Sequence, residues 1–163
     1  MSYPVFISYA RASSADHARA LKARLGDLAF LDTDAIDDGD VFPERLMEGI
    51  LGARVVVIFA SGVYLTRRFC RLEMELALAL GDVNKNHIVM ALGDGCGDVL
   101  AVVPRTVEKI SWPVAGETER LVPLVDAALA GRAKALGDGV SATEARRLAV
   151  AFWESSQIPE AIP

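Results

Sequence analysis

The chain has 163 residues, the size of one domain, and 52% of them are hydrophobic, enough for a sizeable core. A net charge of −5 argues against the broad basic face that phosphate backbones require, so nucleic acid is not expected to bind directly. No apolar run approaches the roughly 20 residues that span a bilayer, and Met1-Ser2-Tyr3-Pro4 has no signal-peptide pattern. The expectation is therefore a cytoplasmic protein without membrane contact. Cys70 and Cys96 are expected as free thiols, and with His17 and His87 they make no metal-ligand spacing, so no metal is expected.

Taken in order, the first apolar run covers 5–9 and reads as a buried strand. Residues 11–14 read as a loop in which Ser14 can cap the next helix. Ala18, Leu21 and Leu25 give that helix its apolar stripe, and Gly26 ends it. A short strand follows at 28–31, then a long acidic loop at 32–40. Phe42, Leu46 and Ile50 share one helix face, with Pro43 tolerated in its first turn. Residues 55–60 are apolar throughout, as in a central parallel strand covered on both sides. Further strands are expected at 87–92 and 107–112, with a glycine-rich loop at 93–98 and a helix over 117–129.

Strand and helix thus alternate about five times. That pattern predicts an α/β fold of three layers, a five-stranded parallel sheet with helices on both faces. Composition changes after Arg132. The chain divides there into a domain over 1–132 and a linker, helix and tail over 133–163, in which Leu148 and Phe152 mark a helix over 141–153. Residues 141–163 are expected to be removable without loss of folding, and to lead towards a further domain.

The helix over 69–80 breaks its own pattern. Phe69, Leu72, Leu76, Ala77 and Leu80 form its apolar stripe, and Glu73 lies in the middle of it. A carboxylate there costs free energy unless it is paired or faces a cleft. Parallel sheets bind ligands beyond the carboxyl ends of their strands. Ser8, Tyr9 and Arg11, then Asp32, then Ser61 occupy those ends, and Glu73 follows the third strand.

Several other patterns compete. Asp32-Thr33-Asp34, Ser61, Lys85, Asp94 and Asp98 echo a haloacid-dehalogenase-type phosphatase, but in the wrong layout. An EF-hand at 32–43 fails because Ile36 and Pro43 occupy ligand positions. Gly93, Gly95 and Gly97 mimic a phosphate loop, but no helix is expected after them and two aspartates would repel phosphate. Cys70 lacks an adjacent base that would make it a nucleophile.

The ordered motifs resemble a TIR domain of the kind found in bacterial immune proteins. Phe6-Ile7-Ser8-Tyr9-Ala10-Arg11 is similar to the first box. Phe30-Leu31-Asp32 with Ile36, Gly39, Asp40, Leu46 and Ile50 is similar to the second strand, BB loop and following helix. Residues 54–61 with Tyr64-Leu65 lead into Phe69-Cys70-Arg71-Leu72-Glu73, and Ser111-Trp112-Pro113 faintly echoes the last box. The resemblance covers roughly residues 4–130 and implies a flavodoxin-like TIR fold.

In the catalytic branch of that family a glutamate on the third helix cleaves the nicotinamide–ribose bond of NAD+. The resemblance places that role on Glu73, with Phe69 where the family usually has Trp. It places Ser8, Tyr9, Arg11, Asp32, Ser61 and Phe69 around the substrate. NAD+ is then substrate, and no cofactor is required. It also implies self-association through the BB loop, here Asp37, Asp38, Gly39, Asp40 and Phe42, and a role in anti-phage immunity. The alternative within the family is a non-catalytic scaffold or adaptor acting through TIR–TIR association.

Overall fold

The computed structural model describes residues 3–31, 42–80, 88–93, 95–103, 108–111, 117–131 and 135–155. Strands β1 (Val5–Ser8), β2 (Ala29–Phe30), β3 (Val55–Ala60), β4 (Ile88–Leu92) and β5 (Glu108–Ser111) lie in the order β2-β1-β3-β4-β5. Every pairing is parallel. Four strands of four to six residues form the body of the sheet. The second is narrower than the sequence suggests, two residues at one edge rather than 28–31. β3 is central, and all six of its side chains are buried, which explains its unbroken apolar run.

Alternation along the strands sorts side chains into two cores. Val5, Ile7, Val55, Val57 and Phe59 face α1 (Arg11–Leu25) and α5 (Glu117–Ala130), meeting Ala18, Leu21, Leu121 and Val125. Phe6, Val56, Ile58 and Ala60 face the other way, towards α2 (Glu44–Gly52), α3 (Arg68–Leu80) and α6 (Ala142–Ser155). Helices therefore cover both faces of the sheet. By the same alternation Ser8, two residues on from Phe6, faces the α3 side.

α1 starts earlier than the loop and Ser14 cap read from sequence. Its first residue is Arg11, after Ala10, which makes no side-chain cap. At its other end Gly26 takes a φ of 59° and donates to Lys22 O. The Lys22 ammonium then bridges Gly26 O and Ala29 O, both at 2.7 Å, tying the helix end to β2. A one-turn helix, α4 (Gly97–Leu100), follows the glycine-rich loop, where the sequence reading has none.

The stretch set apart as linker and tail behaves differently from that expectation. Leu136, Ala149 and Trp153 are buried in the core on the α3 side. The Leu136 and Gly137 amides donate to Ala53 O (2.8 Å) and Leu51 O (2.9 Å). A Cβ on Gly137 would lie 3.0 Å from Leu51 O, so a side chain there would make its neighbours give by a few tenths of an ångström. Ser141 caps α6, its Oγ accepting from the Glu144 amide at 3.1 Å. Composition flags the polar segment before α6, but it cannot report that α6 docks through a few large side chains.

Candidate active site at the carboxyl ends of the strands

The sheet order changes direction between β1 and β3, and this switch point is where open α/β sheets leave a crevice for a ligand. Ser8 ends β1 and Ser61 follows β3, so the two serines flank it. Both are buried. After Ser61 the chain turns sharply, with the Tyr64 amide donating to Ser61 O at 3.2 Å, and enters a short 3-10 turn, Tyr64–Thr66, that leads into α3.

Three side chains from these elements meet. Ser8 Oγ donates to Glu73 Oε1 at 2.6 Å, and Ser8 Oγ lies 2.5 Å from the Tyr64 hydroxyl. A serine hydroxyl has one hydrogen, here committed to the carboxylate, so the Tyr64 phenol must donate to Ser8. The chain of donation runs from Tyr64 through Ser8 to Glu73. Burial pushes the Tyr64 phenol well above its usual range. At the alkaline pH where a tyrosine titrates, the electrostatic influence of Cys70 and then of Glu73 adds to this, and the Ser8 hydrogen bond opposes it. Tyr64 therefore remains a protonated donor at neutral pH.

Glu73 is 6% exposed and is the one buried acidic side chain among the described residues. It occupies the core-facing stripe of α3 as its spacing predicts, but α3 is buried more widely than that stripe. Arg68, Cys70 and Met74 are buried as well, for α3 packs on α2 and β1 and, through Arg68, on α6. Cys70, one turn before Glu73, donates its thiol to Tyr9 O at 3.4 Å. That contact ties the start of α3 to the end of β1.

The remaining expected site residues divide into three groups. Phe69 is half-buried, its ring centred 5.2 Å from that of Trp153. Phe42 meets the same indole edge-on at 6.4 Å. Arg11 opens α1 directly beyond β1, and only its backbone is described. Asp32, Asp37, Asp38, Gly39 and Asp40 lie outside the described residues. Sequence reasoning missed Tyr64 as a partner of Ser8, and Trp153 altogether. Tyr64 lies within a quoted motif, three residues after Ser61, but nothing linear shows which way its hydroxyl turns. Trp153 lies far from every motif.

Chemically, the arrangement offers one carboxylate with one oxygen fixed by a hydroxyl that is itself fixed by another. Such a group is preorganised to face developing positive charge. No helix among the described residues is long and apolar enough to cross a membrane. No curated protein matches the chain. The family model described as TIR domain matches residues 5–122, spanning β1 to α5 and including Ser8, Tyr64 and Glu73. That match covers well over half of the sequence, and the chain belongs to the TIR domain family.

Proposed function

We propose that this TIR domain cleaves the nicotinamide–ribose bond of NAD+, as a glycohydrolase or cyclase, with Glu73 as the catalytic residue. The observation that carries the reading is the buried carboxylate at the switch point, the one such group among the described residues, held by Ser8 at 2.6 Å. Glycosidic cleavage generally uses two carboxyl groups, one of which protonates the leaving group. The pyridinium of NAD+ is already cationic and departs as neutral nicotinamide, so that acid is unnecessary. One carboxylate facing the oxocarbenium-like ribose is sufficient. In this reading Phe69, Tyr9, Arg11, Ser61 and Asp32 border the substrate, and Ser8 holds the catalytic group.

We further propose that activity rises on self-association through residues 32–42, and that the domain serves as effector of a bacterial anti-phage defence protein. The test is incubation of concentrated protein with NAD+ and chromatography of the products. Release of nicotinamide with ADP-ribose or a cyclic isomer supports the proposal, and intact NAD+ overturns it.

One observation favours a second reading. Glu73 accepts from Ser8 within a buried polar cluster, as a fold-specifying core group also does. In that case the domain is a non-catalytic scaffold that recruits other TIR domains. Membership of the TIR family removes the motive for the phosphatase reading.

A further inference from the structure

Helix α6 lies beyond the family match, which ends at residue 122, yet it grips the helix that carries Glu73. The grip centres on Trp153, which is 2% exposed. The Arg68 guanidinium lies over its indole, 3.7 Å from the ring centre. Arg68 Nε and Nη2 also donate to the Trp153 carbonyl, at 3.0 and 2.7 Å. Arg68 is the first residue of α3, so its first turn is clamped by a stacked ring and two charge-assisted hydrogen bonds together. The next residue, Phe69, packs on the same indole, and Glu73 lies one turn further along the same stripe. Trp153 also meets Phe42 edge-on, and Phe42 is covered by Arg146 of α6 at 5.1 Å. Arg146 in turn pairs with Glu44 at the start of α2.

We propose that Trp153 is a positioning residue: it holds the first turn of α3, and through it the placement of Phe69 and Glu73. Its kinetic consequence rests on the NAD+ cleavage proposed above. The Trp153 carbonyl belongs to the backbone and survives substitution, so Trp153→Ala removes the ring contacts with Arg68, Phe69 and Phe42 and leaves the hydrogen bonds. Trp153→Phe keeps an aromatic face for all three.

The experiment measures amide hydrogen exchange in the full chain, parent against Trp153→Ala and Trp153→Phe, together with kcat and KM for NAD+. Exchange over 68–77 is expected to rise about a hundredfold or more in Trp153→Ala, the loss of a large buried ring packed on those residues. Amides of α1 should change much less, and Trp153→Phe should restore most of the protection. kcat should fall more than KM, because a displaced carboxylate loses transition-state contact. Where Trp153→Ala does not fold, Arg68→Lys takes its place, since lysine lacks the planar fork that stacks and bonds at once. Exchange that is unchanged over 68–77, or raised equally in every helix, overturns the proposal. That result is independent of catalysis. Selective exchange in a parent that leaves NAD+ intact keeps Trp153 as the clamp of α3 and removes the NAD+ reading alone.

Discussion

Ser8 and Glu73 are 65 residues apart in sequence and 2.6 Å apart in space, joining the end of β1 to the middle of α3. The contact is possible because Ser8 faces the same core as Phe6, and because Glu73 occupies the helix stripe that packs against that face. Glu73→Gln keeps a carbonyl oxygen that can accept from Ser8, and removes the charge. It is expected to retain the cooperative melt of the parent. NAD+ cleavage should fall by about a hundredfold or more, as for loss of one preorganised electrostatic group. Parallel thermal melts and product chromatography check both halves, and a variant that cleaves NAD+ at the parent rate would leave the scaffold reading in possession.

Tyr64 gives a pH signature. Its phenol is held protonated well above its usual range, first by burial and then by the electrostatic influence of Cys70 and Glu73 at alkaline pH. In the unfolded chain a tyrosine ionises near pH 10. Below that pH the contribution of Tyr64 to stability is complete. Above it the unfolded state loses a proton that the folded state keeps, so stability falls by about 1.4 kcal/mol per pH unit from this group. Tyr64→Phe lacks that component. It should be less stable than the parent at pH 8 by about 1 kcal/mol, the net worth of a buried hydrogen bond. The difference should shrink between pH 10 and 11. Urea midpoints at pH 8, 10 and 11 measure it, and parallel pH dependences would contradict it.

Removing residues 141–163 is now expected to unfold the domain or cost it most of its stability. The truncation strips Trp153 and Ala149 from the core and exposes the α3 surface they cover. A buried Trp→Ala change alone costs roughly 3–5 kcal/mol, a large part of the stability of a small domain. A truncated chain that melts cooperatively near the parent temperature would show that α6 is dispensable.

Rate per molecule should rise with protein concentration. A carboxylate 6% exposed has little access to solvent, and in our proposal a neighbouring copy completes the site through residues 32–42. NAD+ turnover measured from dilute to concentrated protein, with and without a crowding agent, should curve upward. Gly39→Pro should flatten that curve while leaving the fold intact. Strict proportionality between total rate and concentration would rule out activation by assembly.

The sheet was legible because burial on both faces leaves a signal in composition, as in Val55 to Ala60, which is apolar at all six positions. Glu73 was legible as an exception to such a signal. Its partners were not. Whether Ser8 meets Glu73, and Tyr64 meets Ser8, depends on strand order and on the turn after Ser61, which no local pattern encodes. The docking of α6 is hidden from sequence for a related reason. Its leading contact is a guanidinium stacked on an indole across 85 residues, and periodicity registers Leu148 and Phe152 but not the partner of Trp153. The start of α1 was placed late because Ser14 looks like a cap, while the helix begins at Arg11 without one.

The brevity of β2 bears on how copies of this domain can meet. It pairs with β1 at only two positions, Val5 with Ala29 and Phe6 with Phe30, and it forms one border of the sheet. A border strand recruits another chain by offering a row of unused amides and carbonyls, and two residues make a very short row. Filament growth by continuing the sheet from one molecule into the next is disfavoured on that side. If copies associate on that side as we propose, side chains rather than backbone pairing must carry the contact, so its specificity is open to change by single substitutions.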